Sequence, residues 1–100
     1  YKLDLSDVQV AELARILNDL KTERAQAEVD DRRALAALAD SVAQSAFDEA
    51  KAQQAATQRV QSEQRLQDAV VKALAKIHAL LSDQQRGHLA YLIRTGTLTL

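Results

Sequence analysis

Apolar side chains recur along most of this chain at intervals of three and four residues, the spacing of one helix face. Leu13, Ile16, Leu17 and Leu20 stand at i, i+3, i+4 and i+7 and predict an amphipathic first helix from about Ser6 to Gln26. A polar interval follows, "EVDDRR" at Glu28 to Arg33, in which Asp30 or Asp31 can cap a second helix marked by Leu35, Leu38, Val42 and Ala46. No Gly or Pro separates the two, so one bent helix is the alternative. "SAFDEAK", Ser45 to Lys51, reads as the main reversal, with Phe47 plugging the turn and Asp48 as cap. From about 48 to 80 no breaker appears, which predicts one long helix of ~33 residues and ~50 Å. Its first half carries alanines among glutamines; its second half carries Leu66, Val70, Leu74 and Ile77 before Leu81. A short last helix with Leu89, Leu92 and Ile93 ends at Gly96, a natural C-terminal stop, and Thr97 to Leu100 form a tail.

Two of these helices open on the same phrase. "LSDVQVAEL" runs from Leu5 to Leu13, and "LSDQQRGHL" from Leu81 to Leu89, 76 positions on. Ser6 and Ser82 are good N-caps, and Gln9 and Gln85 stand three residues later, where a capping box needs its second member. Asp7 and Asp83 put negative charge against the positive end of each helix dipole. Leu5 and Leu81 precede the caps, where an apolar side chain staples the helix start.

Composition narrows the class further. Of the 100 residues 47% are apolar, but much of that is Ala, and the aromatics are Tyr1, Phe47 and Tyr91 alone. Such a chain fills no thick core; it suits slender helices packed closely and completed by a partner chain. With no Pro and two Gly, the turn residues that a sheet protein needs are missing. The fold expected is therefore all-α, in one domain spanning residues 1–100. A net charge of −1 with both signs interspersed gives no bulk attraction to nucleic acid or anionic lipid. Without cysteine there is neither disulfide nor thiol chemistry. No apolar run reaches the ~20 residues of a membrane span. The chain opens at Tyr1 without Met or a leader, as a mature or trimmed product would.

Paired L-[ST]-x-x-Q phrases, one opening the first helix and one the last, resemble the hallmark of the Spy/CpxP group of periplasmic proteins. "DRRALAAL" is similar to the group's basic second-helix segment, and "FDEAKAQ" to its Phe-Asp start of the long helix. The resemblance covers nearly the whole chain. It implies a four-helix hooked hairpin, an antiparallel cradle-shaped homodimer and a periplasmic location. Members of the wider family are ATP-independent chaperones, inhibitors of envelope-stress sensor kinases, zinc-responsive proteins, or nickel/cobalt sensors of the CnrX type. In the chaperone members the matching basic residues line a concave face. Carried over, Arg32 and Arg33 attract acidic segments of partly unfolded clients, while Leu13, Leu17, Val70 and Leu74 supply apolar contact. The same four apolar residues are equally the obvious core.

The alternative is a sensory domain of a heavy-metal resistance system. His78 and His88 are the imidazoles available, and neutral His is a common ligand of nickel and zinc. The sensor branch carries a fuller set, including His-x-x-x-Met late on the long helix and a Glu on the first. Here those positions fall on Ala73, Ile77 and Leu17, and the chain has no Met. The expectation is no metal and no cofactor. No Gly-rich phosphate loop, nucleophile–base set or nucleotide motif is present, and the adjacent carboxylates Asp30 and Asp31 point in different directions on a helix. The chain reads as non-enzymatic, with partly folded proteins or an envelope-stress sensor as partners.

Overall fold

A computed structural model describes residues 3–99; Tyr1 and the last tail residue, Leu100, lie outside them. The chain is all-helical, and the described residues form three helices and no strand: α1 (Asp7–Ala43), α2 (Glu49–Leu80) and α3 (Asp83–Arg94). The expected four helices are corrected at one point. The polar interval at Glu28 to Arg33 does not break the chain, and α1 runs through it to become the longest element, 37 residues against 32 in α2.

The reason lies in what the two aspartates do. An aspartate inside a helix costs at most ~0.7 kcal/mol relative to Ala. Asp30 and Asp31 offset that by accepting side-chain bonds from α2 rather than capping a new helix. The heptad register also continues unbroken across the interval. Leu20, Ala27, Ala34 and Ser41 fall seven residues apart; Leu20, Ala34 and Ser41 are buried and Ala27 half-buried. On α2, Ala55 and Ser62 are buried and Ala69 is half-buried at the same spacing. A sustained seven-residue period keeps one stripe of each helix facing its partner.

The reversal is built without Gly. The Asp48 backbone N–H donates to the Ser41 carbonyl at 3.0 Å, closing the end of α1. Asp48 then caps α2, its carboxylate accepting from the Lys51 N–H at 3.1 Å. Phe47 does not plug this turn; its side chain is exposed. At the far end α3 stops at Thr95, and Gly96 follows at φ +77°, a left-handed conformation that Gly adopts without a Cβ clash.

The chain divides into two compact units. One takes the residues up to Leu20 together with those from Val70 onward; the other is Lys21–Ala69. The first has a branched aliphatic core of Ile16, Leu20, Val70, Ile77 and Leu81, all buried, with Ala73 among them. Burying one such side chain contributes about 1.5–3 kcal/mol. The second buries only small residues fully: Ala34, Ser41, Ala55 and Ser62. Small residues at heptad spacing let helices approach toward the ~8 Å lower limit, but each brings little apolar area.

Candidate functional site

The repeated phrase is one structure made twice and then joined. Ser82, with extended φ −75° and ψ 168°, is the N-cap of α3; its hydroxyl accepts from the Gln85 N–H, and Gln85 Oε1 accepts from the Ser82 N–H at 2.9 Å. At the start of α1 the Gln9 N–H donates to Ser6 Oγ at 3.2 Å and the Ser6 N–H to Gln9 Oε1 at 2.9 Å. Each glutamine thus has its oxygen committed to its own cap and its NH2 free to reach elsewhere. Gln9 Nε2 donates to the Leu80 carbonyl at 2.7 Å and to Gln85 Oε1 at 3.0 Å. Gln85 Nε2 donates to the Asp4 carbonyl at 2.6 Å and to Gln9 Oε1 at 3.2 Å. Leu80 and Asp4 are each two residues before the other copy's serine, so the arrangement has a local two-fold symmetry. Arg86 adds a bond from Nε to the His78 carbonyl at 3.1 Å, which also accepts from the Leu81 N–H at 3.3 Å, so this carbonyl at the end of α2 has two donors.

Reading the sequence alone finds the caps and misses the joint. The available signal is the choice of Gln at both third positions. A capping box accepts Glu or Gln, but only the amide has a donor left for a second partner.

Within Lys21–Ala69 the polar groups cluster differently. Arg24, Glu28, Asp31, Arg32, Arg59 and Glu63 line an open groove of ≈ 520 Å³ that also meets Leu66. A second groove of ≈ 580 Å³ shares Asp31, Arg59 and Glu63 and adds Leu38, Ala56 and Val60. Arg59 Nε pairs with Asp31 at 2.8 Å, across the two helices. Asp30, its side chain 23% exposed, accepts from Gln26 at 3.0 Å, Ser62 at 3.1 Å and Arg65 at 3.4 Å. Its carboxyl is held below the usual aspartate range, first by the Gln26 amide, then by the Ser62 hydroxyl and the Arg65 guanidinium, against a partial burial that pushes upward. Arg32 and Arg33 are both exposed, and neither forms an ion pair with a described residue. They do not share a surface: Arg32 lines the first groove, and Arg33 lines neither.

The sequence model of the LTXXQ motif family matches residues 1–92. The chain belongs to the LTXXQ motif family. No curated protein and no solved structure matches it. In this LTXXQ protein both motif positions usually written Thr are Ser, and the hydroxyl that does the capping is kept.

The four apolar residues named with the arginines lie in the unit that holds the paired motif, and they divide. Val70 is buried, Leu13 and Leu74 are half-buried, and Leu17 is 40% exposed. In the Lys21–Ala69 unit, Leu35, Val42 and Val60 are 47%, 67% and 70% exposed, although Leu35 and Val42 fit a helix face well enough to be taken as packing residues from spacing alone. His78 and His88 are both exposed, and among the described residues no three His, Asp or Glu converge as a metal site would require. Among the described residues no helix is long and apolar enough to cross a membrane.

Proposed function

We propose that this LTXXQ protein is a periplasmic, ATP-independent chaperone or envelope-stress adaptor of the Spy/CpxP type, binding partly unfolded proteins as an antiparallel homodimer. The observation that carries the reading is the surface of the Lys21–Ala69 unit. There Leu35, Val42 and Val60 are exposed beside grooves lined by Leu38, Ala56 and Leu66, with the unpaired Arg32 on the rim. Such a face offers apolar contact without a deep pocket, and a cation for acidic stretches. In the other unit Val8, Val10, Leu17 and Val71 are exposed as well, Leu13 and Leu74 are half-buried, and Val70 serves the packing. Binding of this kind is weak, adaptable and independent of nucleotide.

Light scattering of an unfolding client, without ATP, tests the reading. At several-fold excess the protein is expected to delay and reduce scattering. Arg32→Glu with Arg33→Glu is expected to slow capture while helicity is kept, most clearly at low salt, because the Debye length falls from ~10 Å at 0.1 M to ~3 Å at 1 M. Unchanged scattering with the wild-type protein refutes the reading.

A further inference from the structure

The polar contacts that join α1 to α2 within Lys21–Ala69 share one chemistry. Arg59 donates to Asp31, Ser62 and Arg65 donate to Asp30, and Lys51 stands 3.8 Å from Asp40. Each of these donors is on α2, and each acceptor is a carboxylate of α1. Beneath them the seam is thin, since the fully buried residues of this unit are two Ala and two Ser. The other unit is built the opposite way. Its core is branched aliphatic, and its glutamine joint uses amides and backbone carbonyls, none of which titrates.

We propose that Lys21–Ala69 is an acid-released clasp: when the α1 aspartates are neutralised, α1 and α2 part within this unit and uncover their facing surfaces, while the unit closed by the glutamine joint holds.

Acid leaves both units positive, the other holding six Lys and Arg and both His, so the thin seam decides which unit yields. Residues 21–69 contain seven Lys and Arg, nine Asp and Glu, and no His. Acid removes the negative charges and leaves every positive one. Lys21, Arg24, Arg32 and Arg33 on α1 then oppose Lys51, Arg59 and Arg65 on α2, and self-repulsion of this sort destabilises a compact state. Each aspartate faces a group that turns from partner to liability. Arg65 faces Asp30, and Lys51 faces Asp40. Arg59 faces Asp31, with Arg24, Arg32, Glu28 and Glu63 around the same groove. A carboxyl whose folded value is depressed, as at Asp30, stabilises the fold fully above its unfolded value of about 3.9 and loses that contribution progressively as pH falls from there through its lower folded value. Release therefore belongs to the acid side of about pH 4. Any use of the clasp in client capture rests on the chaperone reading, whereas the clasp itself is testable with no client present.

The chain has no cysteine, so introduced pairs can carry spin labels. Ala36→Cys with Gln54→Cys reports on the clasp, and Ala14→Cys with Ala75→Cys on the other unit; all four positions are exposed. Pulsed electron spin resonance is expected to give narrow distance distributions for both pairs at about pH 7. At about pH 3 the 36/54 distribution should lengthen and at least double in width, with the 14/75 pair unchanged. In an Asp30→Asn, Asp31→Asn, Asp40→Asn background the 36/54 pair should already broaden at neutral pH. A 36/54 pair that stays narrow in acid overturns the proposal. So does simultaneous broadening of both pairs, or a triple variant indistinguishable from its parent across the titration.

Discussion

Replacing Gln9 by Glu isolates the joint from the cap. Glu is as good as Gln in a capping box, and its oxygen still accepts from the Ser6 N–H. What changes is one atom. The NH2 that donates to the Leu80 carbonyl at 2.7 Å and to Gln85 Oε1 at 3.0 Å becomes a carboxylate oxygen facing two acceptors. Two hydrogen bonds are lost at about 1 kcal/mol each, and the part-buried Leu80 carbonyl loses this partner at a further ~1 kcal/mol or more. Against this, the new charge at the start of α1 meets the helix dipole favourably, by about 0.3–1 kcal/mol. The net expectation at neutral pH is a loss of about 2–3 kcal/mol, or roughly 10–20 °C in melting temperature for a domain of this size.

Thermal and urea unfolding followed by circular dichroism, Gln9→Glu against wild type at each pH, reads this out. The introduced carboxyl faces oxygens, so its pKa in the fold is raised. The sign follows from that: the variant is closest to wild type below the unfolded Glu value of about 4.3, where a protonated carboxyl can donate one bond, and falls behind as pH rises through the raised folded value. By the local symmetry, Gln85→Glu should behave alike. A Gln9→Glu protein within about 0.5 kcal/mol of wild type at neutral pH, with no pH dependence of the difference, would refute the joint as a source of stability.

The caps themselves are tested by Ser6→Ala and Ser82→Ala, each expected to lower unfolding free energy by about 1 kcal/mol and to leave the other cap's effect intact. Sedimentation velocity at micromolar concentration is expected to find a dimer; a monomer there would count against the homodimeric reading. Nickel, cobalt and zinc, titrated by calorimetry, are expected to show no submicromolar site, because a closed site needs about four converging ligands. A tight site would move the protein toward the metal-sensing alternative.

The helical class, the reversal near Asp48 and the limits of α2 and α3 were all legible in the sequence, since each has a local cause: capping residues, apolar period, the absence of Gly and Pro. The continuity of α1 is legible only as the alternative, because "EVDDRR" carries the residue types of a helix start and its true role depends on Ser62 and Arg65, 32 and 35 residues beyond Asp30. The small-residue heptad through Ala27, Ala34 and Ser41 was the clue that outweighed it. Phe47 misleads by its size, since a lone aromatic in a turn reads as buried, yet its side chain is exposed. Among the apolar residues, spacing alone could not separate Ile16 and Leu20, which are buried, from Leu35 and Val42, which are not.

The motif that gives the family its name is a closing device, and this bears on where function can reside. Its four joining bonds link residues that stand 71 to 81 apart in the chain. Closing a loop of that length costs roughly 4 kcal/mol, about what four net hydrogen bonds return. The joint therefore cannot assemble the ends by itself; the buried Ile16, Leu20, Val70 and Ile77 of the same unit supply the surplus. Once made, the joint uses all four amide hydrogens of Gln9 and Gln85 in pairs that leave nothing for a ligand. Family membership thus specifies an architecture and leaves the partner open. Exposed apolar groups stand in both units, Val8, Leu17 and Val71 in the one and Leu35, Val42 and Val60 in the other; the Lys21–Ala69 unit adds Arg32, thin packing and ionisable polar ties.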